Sequence, residues 1–148
     1  GSARQAVAAR TWLSIDLRAP NQKDAEELLA AVKAVADEVT VPGTRTVMSG
    51  GLTRPVFPRT EGNIRLLRLG QEVGRELGVV LEEAPTRRGG SDGSFGAAMG
   101  VPSLDGLGPR GGRDDRGQYL FADSLPERAA LLAGVIERLP DLAGTGSA

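Results

Sequence analysis

"RRGGSDGSFGAAMGVPSLDGLG", residues 87–108, is the stretch on which the reading of the fold turns. Two glycines lead into Ser91 and Asp92, either of which can cap a helix, and Phe95, Ala98 and Met99 then supply a short apolar run. "VPSLD", residues 101–105, has the composition of a short strand, and glycines close the segment. Glycines before a helix start can cradle an anion on free backbone N–H groups, line a pocket, or simply turn the chain. No G-x-x-x-x-G-K-[ST] is present, and no G-x-G-x-x-G is followed by an acidic residue at the required distance. Nucleotide binding at Gly89–Ser94 therefore has little behind it, while the turn and the pocket wall both stand.

On the C-terminal side, Ser124, Pro126 and Glu127 form a Ser-x-x-Glu helix start with proline in the first turn. Leu131, Leu132, Val135, Ile136 and Leu139 are expected to line the inner face of that helix. On the N-terminal side, "VVLEE", residues 79–83, reads as a buried strand. Before it, Leu66, Leu69, Val73 and Leu77 form one stripe of a helix over residues 61–77 that stops at Gly78. "SGGLTRPVFPRT", residues 49–60, is dense in Gly and Pro and marks a boundary between two units.

Ahead of that boundary, Leu13, Ile15 and Leu17 alternate with Ser14, Asp16 and Arg18, the pattern of a half-buried strand within residues 6–18. Ala25, Leu28, Leu29, Val32, Val35 and Ala36 then recur at helical spacing behind acidic Asp24, Glu26 and Glu27. Further strands or a hairpin are expected at residues 39–41 and 44–48, around Pro42-Gly43. The fold class is α/β, and the alternation after residue 60 predicts a parallel or mixed sheet with its site at the carboxyl ends of the strands.

The chain has 148 residues, about one domain, with 18 basic and 19 acidic side chains and a pI near 5.6. No strong field draws it to nucleic acid or an anionic membrane, and neither is expected as a partner. Gly and Pro number 21 and 9, well above their usual combined share of about 12%; they cluster between periodic segments, which signals elaborate loops. No apolar run approaches the roughly 20 residues that span a bilayer, so a soluble, cytoplasmic protein is expected. Cysteine and histidine are both absent. Thiolate chemistry, a Ser-His-Asp triad and a zinc site of the usual kind cannot be assembled from these residues alone.

Two groups of polar residues invite a chemical reading. Arg54 stands in the Gly/Pro-rich crossing, where a guanidinium fork can clamp a carboxylate, although a lone loop arginine is more often merely solvated. Asp114 and Asp115 are expected in a loop with Arg113 and Arg116, ordinarily a solvated charge cluster, with metal coordination as the minority reading.

"GSARQAV…WLSIDLR", "SGGLTRPVF", "GGSDGSFGAAMGVPSLDGLGPRGG" and "QYLFADSLPERAALLAGVIERL" follow one another in an order that resembles the dinuclear zinc hydrolases. These are the family of acetylornithine deacetylase, succinyl-diaminopimelate desuccinylase, aminoacylase and glutamate carboxypeptidase. The resemblance covers nearly the whole chain and begins at Gly1 and Ser2, which implies a piece of a longer natural protein. It implies that residues 1–52 are the second half of an α+β lid and dimerisation domain, and residues 53–148 the C-terminal part of a catalytic α/β domain. By the same resemblance Arg54 binds the substrate carboxylate, Gly90, Ser91 and Asp92 line the substrate pocket, and Gln5 takes the place of a substrate-contacting Asn. Asp114 falls nearest the position of a terminal His metal ligand. The family's His-x-Asp motif, bridging Asp and paired glutamates have no counterpart here.

The function so implied is that of the C-terminal portion of a metal-dependent amidohydrolase or metallopeptidase, inactive in isolation, that cleaves N-acyl amino acids or dipeptide-like substrates. Two zinc ions and a homodimer are implied for the complete protein, with no catalytic residue carried by this portion. The alternative is a noncatalytic descendant that serves as a binding or dimerisation module.

Overall fold

The computed structural model describes residues 3–84 and 90–144. Gly1, Ser2 and the leading Arg87, Arg88 and Gly89 of the glycine cluster lie outside the described residues. The chain divides into two compact units, residues 1–52 and 53–148. It is of mixed α and β type: four helices and one two-stranded antiparallel sheet among the described residues.

The first unit is built on α1, Gln22–Asp37. Asn21 caps it, accepting from the Asp24 N–H at 2.9 Å and donating through Nδ2 to the Asp24 carboxylate at 2.8 Å. Ala25 is its buried residue, while Leu28 and Val35 of the expected inner stripe are exposed. The segments at 6–18, 39–41 and 44–48 form no ladder, against the strands expected there. Leu13 and Ile15 are 81% and 53% exposed. Alternation declares a face fit for burial, but a strand exists only when a neighbour takes its N–H and C=O groups. Among the described residues no such neighbour pairs with these segments.

The second unit is organised by α2, Glu61–Glu76, and α4, Ser124–Gly144. They meet along Leu69, Val73, Leu131 and Val135, with Val79 completing the cluster. The crossing is close because Gly134 has no side chain: a Cβ there would stand 2.7 Å from Cγ1 of Val73. Leu131 is fully buried, whereas Leu132, Ile136 and Leu139 are 45%, 55% and 40% exposed. Only part of the apolar arc expected of α4 therefore faces the core. Ser124 does not form the expected capping box; its hydroxyl donates to the Phe121 carbonyl at 2.6 Å and accepts from the Arg110 N–H at 2.9 Å.

Two extended segments lie against α2 without pairing into a sheet, which corrects the strands expected at 79–83 and 101–105. At the end of α2, the Gly78 N–H reaches the Arg75 carbonyl and the Val79 N–H the Gly74 carbonyl. Gly78 adopts φ +72°, the left-handed conformation that this helix ending needs. Gln71 Nε2 then holds the Leu81 carbonyl at 3.1 Å. Asn63, 8% exposed, donates to the Pro58 carbonyl at 2.7 Å and accepts from the Ser103 N–H at 2.8 Å. One buried amide thus ties both the boundary segment and the 101–105 segment to α2.

The observed sheet is a hairpin, β1 Gly111–Asp114 and β2 Gly117–Leu120, where a loop was expected. Gly111 pairs with Leu120 and Asp114 with Gly117, across the two-residue turn Asp115-Arg116. The Tyr119 ring lies over Gly112, where a Cβ would fall 2.6 Å from the phenol oxygen.

Two stability predictions follow from these contacts. Leu131→Ala should cost about 2–5 kcal/mol of unfolding free energy and Leu132→Ala no more than about 1 kcal/mol, as read by denaturant titration. Equal losses would contradict the assigned face. Hydrogen bonding from Arg138 holds the Glu76 carboxyl below its ordinary value, and hydrogen bonding from Arg59 does the same for Glu83. Folded pKa values below the unfolded 4.5 give stability that is present above that pH and lost as pH falls through the folded values. A Glu76→Gln, Glu83→Gln double variant should flatten the decline of melting temperature on acidification below about pH 4.5. An unchanged slope would show that neither pair contributes.

Candidate functional site

The site is assembled from residues 54–58 and 90–95 of the second unit. Pro55 and Pro58 restrict the boundary segment to extended conformations. It is tied by Asn63 at Pro58, and at the next residue Arg59 grips Glu83 through Nε and Nη2 at 2.5 and 3.2 Å. The 90–95 loop turns into α3, Gly93–Ala98. Ser91 accepts the Gly93 N–H on its hydroxyl at 3.1 Å, while Asp92 makes no side-chain cap bond. At the far end of α3, the Gly100 and Val101 N–H groups return to the Ala97 and Gly96 carbonyls, with Gly100 at φ +82°.

The two segments touch at two points. A Cβ on Gly93 would lie 3.1 Å from the Phe57 ring, so the small residue admits that ring edge. Alongside, Arg54 Nη1 donates to Asp92 Oδ1, and the Arg54 guanidinium carbon stands over the Phe95 ring, 5.7 Å from its centroid. Gly90 packs on the same side chain: a Cβ there would be 3.1, 3.2 and 3.5 Å from Cδ, Nε and Cζ of Arg54.

Arg54, Gly90 and Asp92 therefore make direct contacts, with Ser91 shaping the turn between them. Gln5 lies in the first unit, exposed within a turn at residues 4–5. Asp114 sits at the end of β1, where Oδ1 accepts the Arg116 N–H at 2.8 Å. Its carboxylate is engaged in closing the hairpin turn. Among the described residues no three carboxylates come together to hold a metal ion, so the residues present do not fit a zinc site. Phe95 and Phe57 are the site residues that sequence reasoning missed. Phe95 was legible as the neighbour of Asp92 at i+3 on a helix start, but it was read only as packing.

A separate shallow groove of about 210 Å³ is lined by Gly78, Val79, Val80, Arg110, Glu127 and Arg128. Glu127 lies 3.9 Å from Arg110 and 3.5 Å from Arg128, and the groove holds none of Arg54, Gly90, Ser91, Asp92, Gln5 and Asp114. No helix among the described residues is long and apolar enough to cross a membrane.

The chain is 24% identical over 140 residues to carboxypeptidase G2 of Pseudomonas sp. (strain RS-16), an alignment covering 92% of this chain and 33% of that protein. The chain thus spans about a third of the length of the curated relative it matches. No family model matches it, and no solved structure does. The similarity is distant and partial, and it points to a peptidase-like origin.

Proposed function

We propose that this chain is the C-terminal portion of an amide-bond hydrolase of peptidase type, in which Arg54 holds the free carboxylate of a small N-acyl amino acid or dipeptide-like substrate. The observation that carries this reading is the Arg54 guanidinium, 41% exposed and set between Asp92 and Phe95 at the junction of two loops. An exposed ion pair adds little to stability, so a surface arginine in contact with both Asp92 and Phe95 supports a role in recognition. The distant similarity to a carboxypeptidase supports a substrate that carries a free acid.

Amide cleavage needs an activated water or nucleophile and a group to protonate the leaving amine. This chain has no histidine or cysteine, and its described carboxylates are dispersed. In the proposed reading its residues bind and orient the substrate, a contribution that works by holding the scissile amide in place. The isolated chain has no turnover. Residues 1–52 are then the partial lid, through which the complete protein forms a homodimer, and no step of the reaction is assigned to zinc on the residues present.

A second reading is a noncatalytic binding or dimerisation module. It is favoured by the surroundings of Asp114, the one metal ligand expected of this portion: Oδ1 accepts the Arg116 N–H, and among the described residues no group of three acids gathers around it.

The test is hydrolysis of N-acetyl amino acids by the protein extended through its coding sequence to the length of the carboxypeptidase it resembles. Arg54→Ala should raise KM for free acids about tenfold to a hundredfold, as loss of a charged hydrogen bond implies, and leave amidated substrates unaffected. If both proteins treat free acids and amides alike, Arg54 has no such role. Carboxylate binding without turnover by the extended protein would select the module.

A further inference from the structure

We infer that Arg54 divides its donors: Asp92 and Phe95 are positioning residues that hold the guanidinium through Nη1 and through a cation–π contact, and the Nε–Nη2 edge receives the ligand carboxylate. This deepens the reading of Arg54 as a carboxylate anchor and rests on it.

A guanidinium has five N–H donors in one plane, and bidentate recognition of a carboxylate uses two parallel N–H groups on a single edge. Asp92 accepts from Nη1 through one oxygen only. Nε and Nη2 make no hydrogen bond with any described residue. The same chain shows what that edge does when a carboxylate reaches it, since Arg59 holds both oxygens of Glu83 through Nε and Nη2. Arg54 thus presents unfilled the pair of donors that Arg59 uses.

One face of the arginine is covered as well. The three distances from a Cβ at Gly90 to Cδ, Nε and Cζ, 3.1, 3.2 and 3.5 Å, are nearly equal. Such a Cβ would lie over the plane of these atoms, because one placed at the Nε–H edge would be much nearer Nε than Cδ. Glycine therefore lets the loop backbone pack flat over the arginine, on its face and not at the Nε–H edge. The Arg54 guanidinium carbon stands over the Phe95 ring, 5.7 Å from its centroid, a cation–π contact. The Asp92 side chain is 89% exposed, so it orients Arg54 without being locked into the core. An arginine held in this way loses little rotamer freedom when a carboxylate docks, which is where the gain in affinity arises.

The experiment uses the 148-residue chain labelled with 15N, titrated with N-acetylglycine or N-acetylglycinamide while the arginine Nε–H resonances are followed. The Arg54 resonance is assigned by its loss in Arg54→Lys. It should shift saturably with the acid and not with the amide. Asp92→Asn and Phe95→Leu should each weaken binding, the first by about tenfold, with melting temperatures within a few degrees of the parent. Asp92→Glu should restore most of the affinity, which a general loss of structure would not allow. Tighter binding by Asp92→Asn would make Asp92 a competitor of the ligand and overturn the positioning role. Unchanged affinity in both variants would overturn it too, with the anchor intact. If the acid shifts no Arg54 resonance in the parent chain, the anchor reading fails and this inference fails with it.

Discussion

The second unit depends on the close crossing of α2 and α4. Val73 fills the space that Gly134 leaves, and Leu131 and Val135 seal against Leu69 and Val79. Burial of these few side chains is what fixes α2. From that helix the remaining structure is hung by polar contacts: Gln71 holds the Leu81 carbonyl, and Asn63 holds both the Pro58 carbonyl and the Ser103 N–H. Arg54 precedes the Asn63 tie by four residues of proline-restricted chain. Its placement beside Asp92 therefore descends from the apolar seam through one buried amide.

Helices were legible in the sequence because their signals are local. The Gly78 ending acts within a turn of the residues it serves, and the spacing that puts Leu69 and Val73 on one face of α2 spans a single turn. Strands were not, because "VVLEE" and "VPSLD" announce a face and a shape but not the neighbour that must complete the ladder. Conversely, Gly111-Gly112-Arg113-Asp114 lacks the β-branched residues that mark a strand. It pairs all the same, because Gly117 closes a two-residue turn and Tyr119 covers Gly112. On α4 the apolar spacing gave an arc wider than the surface that meets it. The glycine at position 134 brings α2 in against Leu131 and Val135, and Leu132, Ile136 and Leu139 are left outside.

The site was legible in a different way. Composition and periodicity leave Arg54 and Asp92 as ordinary loop residues, and only the order of motifs along the chain suggested that they act together. Their separation of 38 positions has no local signature, so nothing in either segment alone encodes the contact. The small residues at 90 and 93 do have a physical reading, as places where an arginine and a phenylalanine must come close. That reading needs the partners to be known. Among the described residues the chain brings the Arg54 guanidinium together with Asp92 and Phe95 but gathers no group of three acids.

The most direct test of the account is a crystal structure of the chain grown with N-acetylglycine. The account predicts the ligand carboxylate within hydrogen-bonding distance of both Nε and Nη2 of Arg54, with Asp92 still on Nη1. A carboxylate bound elsewhere, or an Arg54 edge closed by another residue of the chain, would contradict it.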